Sequence, residues 1–216
     1  MNPDVEKMRR PADSLLTSIF ARTISVRLTP LIAKTPITPL RITLMGLVLG
    51  LLAAWSASRP GWTNQVIAAF LLELSHVLDC VDGELARLTD RGNPFAAALD
   101  PITDRIKDMM IIFAAYLQSS KALIFNWSEH TIFVMAFFTI GFWTFYMYIV
   151  DAYLNPSRKK RDYTKQKIYI GLYDLFVYGA IGFLIAGLFE YFNLYVLLLA
   201  TMGASIQIVR LKKILY

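Results

Sequence analysis

Four aspartates stand in two closely spaced pairs within apolar parts of this 216-residue chain. Asp79 and Asp82 are three positions apart, and Asp100 and Asp104 are four positions apart. Residues at these spacings project from one face of a helix, so each pair presents two carboxylates together. A charged side chain near the middle of a bilayer costs about 2.5–3.5 kcal/mol, so we expect these carboxylates to lie near the interface, to face water or to be neutralised by a cation. Oxygen ligands of this kind favour a hard divalent cation such as Mg²⁺.

The segment between the two pairs has the composition of a turn. Residues 88–94 include Gly92, Asn93 and Pro94, which favour a short loop between two helices. Antiparallel packing of the flanking helices would then face the two acidic pairs across a gap. Two divalent ions about 3.5 to 4 Å apart in such a gap serve in-line phosphoryl chemistry. Arg87 adds a permanent cation whose planar fork fits a phosphate group.

The elements that must position these carboxylates are membrane helices. The chain is 56% hydrophobic and only 18% charged, which is too apolar for an ordinary soluble domain. A membrane helix needs about 20 predominantly apolar residues. Residues 130–150 and 191–209 meet this length. Together with the apolar runs at 42–58 and 70–78 and the acid-bearing segments at 95–117 and 168–189, they predict six spans.

The distribution of lysine and arginine gives an orientation to these spans. The cations are concentrated before span one, between spans two and three, between spans four and five, and after span six. Since cytoplasmic segments carry the excess of Lys and Arg, both termini and the acidic pairs are predicted at the cytoplasmic face of the cell membrane. The net charge of +6 is then explained by topology and anionic lipid, and it does not indicate binding of nucleic acid.

The N-terminal part of the chain has a different pattern. Between residues 14 and 33, apolar residues recur at helical spacing while Arg22 and Arg27 fall among polar ones. This pattern predicts an amphipathic helix lying on the cytoplasmic membrane surface. We therefore predict an all-α membrane protein with an N-terminal cytoplasmic segment, residues 1–41, and a six-helix domain, residues 42–216.

The acidic pairs belong to a longer pattern with diagnostic intervals. The chain resembles the CDP-alcohol phosphotransferase (CDP-alcohol phosphatidyltransferase) family, whose signature is DxxDGxxAR(x)8GxxxDxxxD. It differs at Ala96, which takes the second glycine position, and at Leu40, which replaces the asparagine of the TPNxxT segment that precedes span one in that family. The matching residues are Asp79, Asp82, Gly83, Ala86, Arg87, Asp100 and Asp104.

The resemblance implies a role for each matching residue. Two Mg²⁺ ions, or Mn²⁺ in their place, would be bound by the four aspartates, with Asp104 also acting as the general base. The donor nucleotide would be held by Thr43, Gly83, Ala86, Arg87 and Asn93. The phosphate of an acceptor would be met by cations from the set Arg105, Arg158, Arg161 and Lys165.

The resemblance also implies the reaction. A small hydroxyl acceptor, such as a polyol phosphate, would attack the β-phosphorus of a CDP-alcohol of the CDP-diacylglycerol type, and CMP would leave. The setting would be phospholipid synthesis by a homodimer in the bilayer. One alternative is a CDP-inositol donor giving an inositol phosphodiester, and another is a non-catalytic relative that binds a nucleotide or a cation.

A purely structural alternative exists for the aspartates themselves. In it they are helix-end carboxylates paired with nearby cations, and Asp100 caps a helix that has Pro101 as its first residue. The cations available for such pairing are Arg87, Arg91, Arg105 and Lys107.

Overall fold

The computed structural model describes residues 8, 14–122, 127–150 and 170–215, and most of these lie in helices. The predicted all-α class is confirmed. In chain order the helices are α1 (Leu15–Ile19), α2 (Ala21–Ala33), α3 (Pro39–Ala57), α4 (Trp62–Thr89), α5 (Pro94–Ala122), α6 (Glu129–Ile149), α7 (Leu172–Ala186) and α8 (Phe189–Leu215).

Helices α3 to α8 correspond in order to the six predicted spans. Three of them are long and apolar enough to cross a membrane: α3, α6 and the Phe189–Val209 part of α8. Helices α4 and α5, with 28 and 29 residues, exceed the length required but carry several charged side chains. Helix α7 has 15 residues and is therefore about 22 Å long. Three of the predicted spans are thus candidate membrane helices by length and composition, and the six-span arrangement stays a prediction.

Helix α3 holds the centre of the arrangement that carries the aspartates. It packs closely against both α4 and α5, whereas the backbones of α4 and α5 stay apart and make little direct contact. The two helices that carry the aspartates thus face each other across a gap, as predicted, and α3 packs against both of them. On the α4 side, the Ser75 hydroxyl donates a hydrogen bond of 2.8 Å to the carbonyl of Gly46. The separation leaves a gap in which side chains from α4 and α5 meet.

An aromatic core joins the second half of the bundle. The rings of Trp143 on α6 and Phe176 on α7 stack with their centroids 4.4 Å apart, and Phe192 of α8 packs beside them. All three side chains are buried. Outside this core, α3 exposes a continuous set of large apolar side chains of the kind that faces lipid, namely Leu44, Met45, Val48, Leu51, Leu52 and Trp55.

The predicted N-terminal amphipathic helix is present as two helices, α1 and α2, separated at Phe20. Its polar side is turned into the protein. Arg22, Ser25 and Thr29 are all buried, whereas Ile24 and Leu31 are exposed. Helix α2 therefore packs on α4 through polar contacts and leaves apolar side chains outward, as expected for a helix that borders lipid.

Candidate active site

Three of the four aspartates converge in the gap between α4 and α5. One carboxylate oxygen from each of Asp79, Asp82 and Asp100 lies within 4.8 Å of the other two. Asp79 and Asp82 come from the last third of α4, and Asp100 from the second turn of α5. The prediction that the two pairs come together across the hairpin is borne out for these three residues. Of these three, Asp82 is the buried one, with 6% of its surface exposed.

The position of Asp100 rules out the helix-cap interpretation. Helix α5 begins at Pro94, so both Asp100 and Pro101 lie inside it. The cap is formed instead by Asn93, whose side-chain oxygen accepts a hydrogen bond of 2.9 Å from the Phe95 N–H. Pro94 then occupies the first helical position, where a missing N–H costs nothing. The residue that caps α5 is therefore Asn93, seven positions before Asp100.

The fourth aspartate, Asp104, stands beside a buried lysine. The Lys107 ammonium lies 2.8 Å from Asp104 Oδ1 and 3.9 Å from Asp79 Oδ1, so it touches both acidic pairs. Lys107 is only 7% exposed. The structural alternative, in which nearby cations pair with the aspartates, thus holds for the ion pair of Asp104 with Lys107. It does not account for the convergence of the other three carboxylates.

Thr43 supports the cluster from α3. Its hydroxyl donates a hydrogen bond of 2.6 Å to Asp82 Oδ2, and both side chains are buried. A carboxylate held in this way keeps its other oxygen in a fixed direction. The sequence predicts Thr43 as a nucleotide contact. In the structure its hydroxyl is hydrogen-bonded to the carboxylate of Asp82.

The remaining predicted nucleotide residues surround the same end of α4. Gly83 and Ala86 are half-buried, and the exposed Asn93 uses its side chain as the helix cap. Arg87 donates two hydrogen bonds, of 2.8 and 3.1 Å, to the backbone carbonyl of Met8. The N-terminal segment therefore reaches the guanidinium that the sequence predicts for phosphate. Nucleotide binding by these residues stays a prediction.

Arg105 is the one predicted acceptor residue within the described ranges. Its guanidinium lies 3.0 Å from Asp108 Oδ2 and rests over the ring of Tyr173 at 5.7 Å. The indole N–H of Trp143 donates to the same Asp108 oxygen at 2.8 Å. Arg105 is thus held on the α7 side of the aspartates. The other three, Arg158, Arg161 and Lys165, lie outside the described residues.

A small cavity lies between α4, α5 and α7, about one helical turn from the aspartates. It offers about 20 Å³ to water-sized groups, which is room for one water molecule. Its polar lining comes from Ser75, His76, Lys107, Asp108 and Tyr173. Lys107 lines this cavity and also contacts Asp104 and Asp79, so it connects the cavity wall to the acidic pairs.

Two buried carboxylates anchor α1 and α2, a role that the sequence does not predict for them. Glu84 is fully buried and accepts hydrogen bonds from Arg22, from Ser25 at 2.7 Å and from Thr29 at 2.6 Å. The only available signal was the i, i+3, i+7 spacing of these three donors, which places them on one face of α2.

The second anchor is Asp174 on α7, which is 2% exposed. It accepts hydrogen bonds from the hydroxyl of Ser14 at 2.5 Å and the hydroxyl of Thr17 at 2.7 Å. Thr17 also lies 3.1 Å from His76 Nε2. This contact links α1 to the wall of the cavity.

The converged carboxylates suit a divalent metal ion. Opposite ligands of an Mg²⁺ ion stand about 4.2 Å apart, because each oxygen lies about 2.0 to 2.1 Å from the metal. The 4.8 Å limit on the three oxygens is within a small side-chain adjustment of that span. The donors are all carboxylate oxygen, the class that Mg²⁺ and Mn²⁺ prefer over soft metals. The residues present therefore fit the predicted metal class.

Taken together, these features define a class of protein: a helical bundle with helices apolar enough to span a membrane and a converged acidic cluster that could hold a metal ion. The comparison with protein families is specific. The model of the CDP-alcohol phosphatidyltransferase family matches residues 36–206, and the chain belongs to this family. The family that the motif residues indicate is thereby confirmed, by a match that covers most of the chain.

Several curated proteins are similar to parts of the chain. An archaetidylinositol phosphate synthase of Pyrococcus horikoshii is 35% identical over 86 residues, which is 40% of this chain and 44% of that protein. A bifunctional IPC transferase and DIPP synthase of Aquifex aeolicus is 28% identical over 51% of this chain and 27% of that protein. A CDP-diacylglycerol–inositol 3-phosphatidyltransferase of Drosophila melanogaster is 42% identical over 27% of this chain and 25% of that protein. The chain thus spans less than half the length of each.

Proposed function

We propose that this protein is a membrane transferase that moves a phosphoalcohol group from a CDP-alcohol to a small hydroxyl acceptor and releases CMP. The observation that carries the proposal is the convergence of Asp79, Asp82 and Asp100 within 4.8 Å, on the signature of the family to which the chain belongs. A divalent ion at this place would lie beside Arg87 and the family's nucleotide residues.

The proposed reaction is a displacement at phosphorus. The acceptor hydroxyl oxygen forms a bond to the β-phosphorus of the CDP-alcohol, and the bond from that phosphorus to the bridging oxygen breaks. CMP departs with the electron pair of that bond. The hydroxyl proton passes to the carboxylate of Asp104, which is the member of the second pair that stands apart from the three converged groups.

The side chains around the gap would position the reactants. When bound, two Mg²⁺ ions would offset the charge of the pyrophosphate and of the departing CMP. Asp79, Asp82, Asp100 and Asp104 would hold these ions, with Thr43 fixing Asp82 through its 2.6 Å hydrogen bond. Arg87 would exchange the Met8 carbonyl for a phosphate oxygen.

For the substrates, we propose a lipid donor of the CDP-diacylglycerol class and a polyol-type acceptor. The names of the relatives from Pyrococcus horikoshii and Drosophila melanogaster both contain inositol, which supports an acceptor of that chemistry. Arg105, above the ring of Tyr173, is the described cation placed to meet an acceptor phosphate. Phospholipid synthesis is the proposed setting.

We further propose that all six helices α3 to α8 span the membrane, with the site at the cytoplasmic face and both termini inside. Support comes from the excess of Lys and Arg in the segments at the end of the bundle that holds the aspartates. By resemblance, the working unit is a homodimer in the cell membrane.

Release of CMP by the purified protein tests this function. In Mg²⁺ with a CDP-diacylglycerol donor and the right acceptor, the protein should form CMP, and Asp104→Asn should abolish it because the amide cannot take the proton. Removal of Mg²⁺ by a chelator should have the same effect. Full activity of Asp104→Asn would refute the assignment of the base.

Asp90→Asn is the matched control for that experiment. Asp90 is exposed in the loop before α5 and has φ 51°, a left-handed conformation that asparagine adopts readily. The change removes one carboxylate near the site without touching the cluster. It should leave CMP release unchanged.

A second candidate is a soluble CDP-inositol donor. The specific support is the match to the bifunctional IPC transferase and DIPP synthase, which covers 51% of this chain. Lipid and soluble CDP-donors, offered separately with the same acceptors, distinguish the two. CMP formed only from the soluble donor would replace the first candidate by the second.

A further inference from the structure

Lys107 is a buried cation placed inside the candidate metal site. Its ammonium lies 2.8 Å from Asp104 Oδ1 and 3.9 Å from Asp79 Oδ1, so it bridges the acidic pairs of α5 and α4. Its side chain is 9% exposed, and the two carboxylates are 14% and 17% exposed. Charges this close and this poorly screened interact strongly.

The fold provides a channel for the stem of this lysine. Gly50 of α3 faces it, and a Cβ atom added at Gly50 would lie 2.6 Å from Lys107 Cγ and 2.7 Å from Cδ. Any larger residue at this position would therefore displace the stem. Beside Lys107 lies the cavity lined also by His76 and Tyr173, with room for one water-sized group.

We infer that Lys107 is a built-in counter-ion, which holds Asp104 and Asp79 in the metal-free protein and withdraws when a second divalent ion binds. The first ion enters at Asp79, Asp82 and Asp100, whose oxygens already converge within 4.8 Å. The Lys107 ammonium lies farther from Asp79, at 3.9 Å, than from Asp104, at 2.8 Å. The second ion needs Asp104 and has to displace the ammonium towards the adjoining cavity. Lys107 is thus a positioning residue that sets the order and strength of metal binding, and the inference rests on the metal site of the proposed function.

The mechanism has a measurable consequence for the second ion only. Replacing Lys107 by methionine keeps an unbranched stem but removes the charge that competes for Asp104. A hydrogen bond to a charged group contributes a free energy that corresponds to about tenfold to a hundredfold in a binding constant. The second ion should therefore bind about tenfold to a hundredfold more tightly in Lys107→Met, while the first changes much less.

The experiment is a titration of the full-length protein in nanodiscs with Mn²⁺, with the free ion followed by electron paramagnetic resonance and no CDP-alcohol present. Wild type should bind two ions in separate steps. Lys107→Met should bring the second step close to the first, and Lys107→Arg should restore the wild-type separation. A lysine with only a structural role would lower stability without tightening the second ion.

Gly50→Ala provides an independent variant that leaves every charged residue in place. Its added methyl group pushes against the lysine stem and should also tighten binding of the second ion. Gly50→Ala therefore tests the inference even if Lys107→Met does not fold. A second Mn²⁺ constant within twofold of wild type in the folded variants would overturn the inference alone. Wild type that binds no Mn²⁺ would overturn both the inference and the metal site of the proposed function.

Discussion

The hydroxyl of Thr43 provides a test of how the metal ligands are held. It donates a 2.6 Å hydrogen bond to Asp82 Oδ2, and the two residues are 5% and 6% exposed. The substitution Thr43→Val replaces the hydroxyl by a methyl group of similar size. Helix α3 should therefore keep its packing, while Asp82 loses the donor that fixes its carboxylate.

The magnitude follows from the type of hydrogen bond. A hydrogen bond to a charged group contributes about 1.5–3 kcal/mol, which corresponds to about 10- to 150-fold in an equilibrium constant. Losing a partner that orients a metal ligand typically lowers metal affinity by about 10- to 100-fold. We expect the Mg²⁺ concentration for half-maximal CMP release to rise by about that factor in Thr43→Val.

CMP release measured against Mg²⁺ concentration gives this quantity, with Thr43→Ser as the control that keeps the hydroxyl. If Thr43 acts through Asp82, excess Mg²⁺ should restore the activity of Thr43→Val. If Thr43 contacts the nucleotide instead, the KM for the CDP-alcohol should stay high in saturating Mg²⁺. A Mg²⁺ requirement within twofold of wild type in Thr43→Val would refute the role of this hydrogen bond.

Two further predictions concern stability and topology. Glu84→Ala removes the ion-pair partner of the buried Arg22. It should lower the free energy of unfolding in detergent, measured by denaturant titration, by about 3–5 kcal/mol. A loss below about 1 kcal/mol would contradict the anchoring role. A cysteine at Gly92, where a side chain meets open space, should react with an impermeant maleimide only from the cytoplasmic side, and a cysteine at Arg59 only from the other side. The single native cysteine, Cys80, is buried and should stay unlabelled; the reverse pattern would contradict the orientation.

The fold was predictable where one helix carries its own signal. The apolar runs located α3, α6 and α8 to within a few residues, because length and hydropathy act within a single segment. Helix α4 was harder, since only residues 70–78 stand out in a helix that extends over Trp62–Thr89. The place of α3 between α4 and α5 depends on close packing at small residues such as Gly46 and Gly50, which no hydropathy pattern reports.

The candidate site was predictable to the extent that its residues are local. Spacing along two helices and a loop was enough to bring Asp79, Asp82 and Asp100 together. The anchoring roles of Glu84 and Asp174 were missed because their partners are 55 or more positions away in the sequence. Such pairings depend on how α1 and α2 dock on the bundle, so they emerge only with the tertiary structure.

We propose that the converged aspartates bind divalent ions for transfer of a phosphoalcohol group from a CDP-alcohol. CMP release by the reconstituted protein, measured with inositol, inositol phosphate, glycerol phosphate and serine, each with Mg²⁺ and with chelator, tests this proposal. We predict CMP with Mg²⁺ and a polyol-type acceptor, and none with chelator. Absence of CMP with every acceptor and both donor classes, or undiminished release in chelator, would contradict the claim.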